Sequence, residues 1–148
     1  MNDYLDDAKE ELKRVDHQIY VSLKYTRTVD VLLNVMNRMI EAYDFMFDGL
    51  LEFSKEKKII TDLPKTPKEK ATVLKTQYSE AIVHENIDLF LLLRKLVKTG
   101  YERENEFRRH VTMITYIDGQ QEIINIDIIT QYYHMQREFL QHLEKVTE

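Results

Sequence analysis

The chain has 148 residues, a formal net charge of -5 at pH 7 and no cysteine; 32% of its residues are charged, and it holds only three glycines and two prolines. That length suits one domain able to bury roughly two-thirds of its unfolded surface. The missing cysteines exclude a disulfide framework, a thiolate zinc site, an iron–sulfur cluster and a cysteine nucleophile, and the acidic balance argues against nonspecific coating of DNA. The scarcity of Gly and Pro favours long helices.

The opening MNDYLDDAKEELKR is acidic and reads as no signal peptide. Leu89–Leu93, the longest apolar run, is far too short to cross a bilayer. A soluble, cytoplasmic protein without a membrane partner is expected. Leu5, Ala8, Leu12, Val15, Ile19 and Leu23 recur at helical spacing and predict a first amphipathic helix, with Asn2 or Asp3 as its cap. The β-branched and polar stretch YVSLKYTRTVDV predicts a bend near Tyr25–Thr28. A second helix follows to about Lys57. Its main stripe is Val29, Leu32, Met36, Met39, Tyr43, Met46 and Leu50; Val31, Val35, Ala42, Phe45 and Gly49 form a second beside it. A helix apolar over so much of its circumference belongs at the centre of a bundle.

EKKIITDLPKTPKEK is a linker at about 58–66. It ends in a helix start, with Thr66 as N-cap, Pro67 in the first helical position and Glu69 where a capping-box acid belongs. Ala71, Leu74, Tyr78 and Ala81 extend that helix. HENID predicts a break, with Asn86 recapping an apolar helix over Ile87–Val97; Lys95 and Lys98 occupy its last turn and Gly100 a closing left-handed position. Val111–Ile117 and Gln120–Ile126 alternate around Asp118-Gly119, the dipeptide that suits a tight hairpin turn. Asp127 is expected to cap a last helix with a buried stripe of Ile128, Tyr132, Met135, Phe139, Leu143 and Val146.

Between the apolar helix and the hairpin lies YERENEFRRH, residues Tyr101–His110. Arginine offers a fixed fork of donors for phosphate, and histidine titrates near neutrality. Arg103 and His110 are thus sufficient in kind for attack of an RNA 2′-hydroxyl on its own phosphate, His110 moving the proton and Arg103 holding the developing charge. Arg108 and Arg109 add local phosphate-binding capacity. The plainer reading pairs Arg103, Arg108 and Arg109 with Glu102, Glu104 and Glu106 on a solvated connector. Lys24, Tyr25 and Arg27 form a smaller basic cluster where the first two helices meet; they suit either a phosphate or helix ends and acids such as Asp30. No Glu-x-x-His pair occurs, His17, His84, His134 and His142 are scattered, and Gly49, Gly100 and Gly119 are isolated. Neither a metal site nor a phosphate-cradling loop is expected, and no cofactor is implied.

Arg103 and His110 enclose six residues, ENEFRR, between an apolar helix and the final helix. In this the chain resembles the HEPN superfamily of helical bundles, whose Arg-x4–6-His motif lies between the third and fourth core helices. The resemblance implies that Arg103 and His110 are an RNA-cleaving pair, a metal-independent endoribonuclease if catalytic. It also implies a dimer with both motifs in one cleft; other members of the superfamily have lost catalysis and serve as interaction modules. Glu104 stands where the motif usually carries Asn, Asp or His. Over most of its length, including VSLKYTRTVDV and EFRRHVTM, the chain also looks like a small archaeal family of uncharacterised helical proteins. The expectation is one all-α domain over 1–148, an antiparallel bundle of four to five helices with a small β-hairpin at about 111–126, before the last helix. It is expected to bind RNA or nucleotides or, alternatively, to act as a non-catalytic structural or protein-interaction module. A homodimer is expected in both cases, since two stripes on one helix, six methionines and nine tyrosines supply abundant apolar surface.

Overall fold

All six residues of the first apolar face are buried, and they build α1 (Asp3–His17) and its continuation. The computed structural model describes residues 3–148, so Asn2 lies outside the described residues, and Asp3 is the first residue of α1. Past His17 the helix widens into a π-helical turn, Gln18–Ser22, and closes with the single turn α2 (Leu23–Tyr25). The chain then bends at Thr26–Thr28, inside the stretch that its β-branched residues mark.

Thr28 caps α3 (Val29–Glu56), its Oγ1 accepting from the Val31 N–H at 3.2 Å. α3 packs against α1, α5 (Ala81–Leu96) and α6 (Ile126–Val146). Its main stripe is wholly buried, as are Val35, Ala42 and Gly49 of the second. One chain therefore consumes most of the apolar surface that had suggested a partner. The centre is aromatic: Phe47 meets Tyr43 at 5.4 Å, Phe90 at 5.0 Å and Phe139 at 5.9 Å between ring centroids.

α4 (Pro67–Gln77) starts as its capping pattern predicts, with Thr66 Oγ1 accepting from the Glu69 N–H at 3.2 Å. It ends sooner than expected, before Tyr78, and HENID is no break. α5 runs unbroken through it, and the interruption falls at Tyr78–Glu80. Asn86 caps nothing. It is buried, its Oδ1 accepting from the Tyr43 hydroxyl at 2.6 Å and its Nδ2 donating to the Ile82 carbonyl at 2.8 Å. Both bonds satisfy a polar side chain within the helix, so its capping propensity is not used. Gly100 does not take the left-handed conformation; among the described glycines only Gly119 has positive φ.

Before the last helix stands a three-stranded antiparallel sheet in the order β1-β2-β3, rather than a lone hairpin. β2 (Thr112–Ile117) and β3 (Gln120–Ile124) are the expected hairpin, turning on Asp118 (φ 51) and Gly119 (φ 80). The added strand β1 (Tyr101–Glu104) is the first part of the charged decapeptide. Arg103 pairs with Met113 and Met113 with Ile124, and these two apolar residues are buried. A third strand helps a hairpin that would be marginal alone. Asn125, not Asp127, caps α6, accepting from the Ile128 N–H at 2.9 Å. The buried face is accordingly Ile129, Tyr133, Gln136, Phe139, Leu140 and Leu143, while Ile128, Tyr132, Met135 and Val146 are half-buried. Among the described residues no helix is long and apolar enough to cross a membrane.

Candidate functional site

The decapeptide docks on the first turn of α3. Glu106 Oε2 accepts from the Val29 N–H at 3.1 Å, and the Phe107 N–H donates to the Arg27 carbonyl at 2.6 Å. A free helix N-terminus has unpaired donors and a positive partial charge. Thr28 answers one of these donors from within the helix's own chain, and Glu106 answers another from a residue far along the sequence. The basic cluster LKYTRT and the charge-balanced YERENEFRRH, both seen in sequence, thus meet at one junction.

Arg103 is absorbed by this docking. Its guanidinium donates to Asp30 Oδ1 and the Tyr101 hydroxyl, each at 3.0 Å, and reaches Glu106 Oε2 at 3.5 Å. It also lies 5.3 Å from the Tyr101 ring centroid. The hydrogen bond to Asp30 holds it still more firmly protonated than an ordinary arginine. A guanidinium shared between two carboxylates has little charge left for a phosphate. His110 is exposed, its carbonyl accepting from Thr112 Oγ1 at 2.7 Å. It lines a recess of about 60 Å³ with Arg109, Thr112, Asn125, Ile126 and Asp127, to which Arg103 does not contribute. Among the described residues no hydrogen bond joins Arg103 to His110.

The rest of the decapeptide points away from the bundle. Arg108 and Arg109 are exposed, and among the described residues no ion pair engages them, nor Lys24 or Arg27. Charge-based reading passes over two exposed aromatics here: Phe107 is 77% exposed and Tyr25, two residues before the carbonyl that anchors Phe107, is 79% exposed. Asn105 and Phe107 both have left-handed backbones, φ 56 and φ 64. For a bulky residue such a conformation costs energy, and the surrounding structure must impose it. Here the Phe107 N–H is held by the Arg27 carbonyl, the Glu106 carboxylate by the Val29 N–H, and the Arg108 N–H closes a turn over both residues on the Asn105 carbonyl at 3.1 Å. A sequence signal was available, because Phe107 lies in a run of charges and belongs to no apolar stripe.

Compared with known proteins, the chain matches no family model, no curated protein and no solved structure.

Proposed function

We propose that this protein is a non-catalytic, HEPN-like module that binds single-stranded RNA at the junction of the connector with α3. The observation that carries this reading is the exposed, strained Phe107, anchored two residues from the exposed Tyr25, together with Arg108, Arg109, Lys24 and Arg27, which among the described residues are in no ion pair. Exposed aromatic faces stack on bases of any sequence, and free arginines and lysines follow the phosphates. Arg108, Arg109, Lys24 and Arg27 are the backbone contacts in this reading. The ion pairs of Arg103 with Asp30 and Glu106 favour binding over cleavage, with Arg103 supporting the connector.

The test is binding of a fluorescent single-stranded RNA of about ten nucleotides over a range of salt. Each phosphate contact to a single strand contributes about 0.7 to the slope of log affinity against log salt. Arg108→Ala and Arg109→Ala should each flatten that slope, and Phe107→Ala should cost about 1–3 kcal/mol at every salt concentration. His110→Ala should leave affinity unchanged. Cleavage by the wild type that His110→Ala abolishes, yielding 2′,3′-cyclic phosphate ends, would restore the catalytic reading.

One observation favours the alternative, a homodimeric interaction module. Ile114 and Ile123 are paired across the outer face of the sheet, and Ile123 is 47% exposed. β1 and β3 are the two edges of that sheet, and an open edge is a template for pairing. Sedimentation at micromolar concentration distinguishes the two: Ile123→Lys should convert a dimer into a monomer and leave a monomeric protein unchanged.

A further inference from the structure

A second cationic region lies away from the junction. The N-terminus of α4, the last turn of α5 and the hairpin tip border an open cleft of about 760 Å³. Four of its lining side chains are cations: Lys68 from α4, and Arg94, Lys95 and Lys98 at the end of α5. The one acid in the lining, Asp118, pairs with Lys95 at 3.2 Å and so pins the hairpin tip to α5 as a wall. Arg94 lies 5.6 Å from the Phe90 ring centroid and feels Asp44 of α3 behind it. Lys68 and Lys98 are exposed and, among the described residues, in no ion pair. Cations at the end of α5 also complement its carbonyl dipole. That role does not account for Lys68, which comes from another helix, nor for Tyr116, which is 58% exposed at the same rim. Leu91 and Ile117 give the cavity an apolar floor.

We propose that this cleft binds a small organic di- or triphosphate, with Lys68, Arg94 and Lys98 on the phosphates and Tyr116, Leu91 and Ile117 against the planar or apolar group that bears them. Three cations beyond the Lys95–Asp118 pair, in a protein of net charge -5, are a local reversal of sign. The charge suits more than one phosphate, and the cavity falls within the size range of small-molecule sites. The proposal does not rest on RNA binding at the junction.

Titration calorimetry with ATP, ADP and inorganic tripolyphosphate tests it. ATP should bind with a dissociation constant below 1 mM (an affinity of more than about 4 kcal/mol), and tripolyphosphate more weakly, since it lacks the group that meets Tyr116. Lys68→Glu and Lys98→Glu, both at exposed positions, should each weaken ATP binding roughly tenfold or more, with melting temperatures unchanged. Phe107→Ala, which removes the junction's aromatic, should leave ATP binding intact. No heat from any of the three ligands at millimolar concentration would overturn the proposal. So would ATP binding that both charge reversals leave untouched, or tripolyphosphate binding as tightly as ATP.

Discussion

The aromatic centre and the connector solve opposite problems with the same kinds of residue. Around Phe47 the polar groups of Tyr43 and Asn86 are satisfied inside the bundle, and the aromatic rings are wholly buried. In the connector, Glu106 and Arg103 spend their polar groups on the head of α3, while the aromatic Phe107 is turned out to water on a strained backbone. The first region accounts for stability. The second uses some of that stability to hold a ring where folding has no need of it. A bulky residue held in a left-handed turn while its ring stays exposed is a pointer to function that burial alone would not give.

If the contrast is sound, substitutions in the two regions should separate cleanly. Phe47→Ala removes a ring that touches three others, and should cost about 3–5 kcal/mol in urea unfolding. Asn86→Ala strands the buried Tyr43 hydroxyl and should cost about 1–3 kcal/mol; adding Tyr43→Phe should recover part of that loss, which a double-mutant cycle would read directly. Glu106→Ala leaves the Val29 N–H without its carboxylate and should cost about 1 kcal/mol, the usual scale of a helix cap.

A pH experiment sharpens the stable side. Burial, and then the 2.8 Å hydrogen bond to Asp16 Oδ2, push the Tyr133 hydroxyl up to about 12. An unfolded tyrosine ionises near about 10. The folded chain therefore keeps this proton where the unfolded chain loses it. The associated stability is fully present below pH of about 10 and is lost as pH rises through about 12. Tyr133→Phe should remove that part of the alkaline decline and one high-pH step in an ultraviolet titration.

The two regions also differed in how legible they were. The long stripes of α1 and α3, the Thr66-Pro67 start of α4 and the Asp118-Gly119 turn were read from sequence, because each is local periodicity or local turn chemistry. β1 was missed because Glu102, Arg103 and Glu104 are too polar for a strand seen alone, and their pairing depends on β2. Asn86 was misplaced because its partner, Tyr43, is distant in sequence, and no local rule separates a buried asparagine from a cap. The α6 stripe was right at Phe139 and Leu143 but one position off at Ile128, Tyr132 and Met135, and its cap was placed at Asp127 in place of Asn125. At the site, sequence offered the local partner, Glu106, which Arg103 reaches at 3.5 Å, but not the distant one: Asp30 binds Arg103 across 73 positions, a pairing that only the fold creates.

The smallest expected effect tests the central claim most directly. Glycine tolerates the left-handed backbone that Phe107 must be forced into. Phe107→Gly should therefore raise stability by about 0.5–1 kcal/mol in urea unfolding, and the same variant should lose binding of single-stranded RNA. A variant that is less stable than the wild type yet binds RNA equally well would contradict the account, showing Phe107 to be part of the packing and the junction to be only a connector.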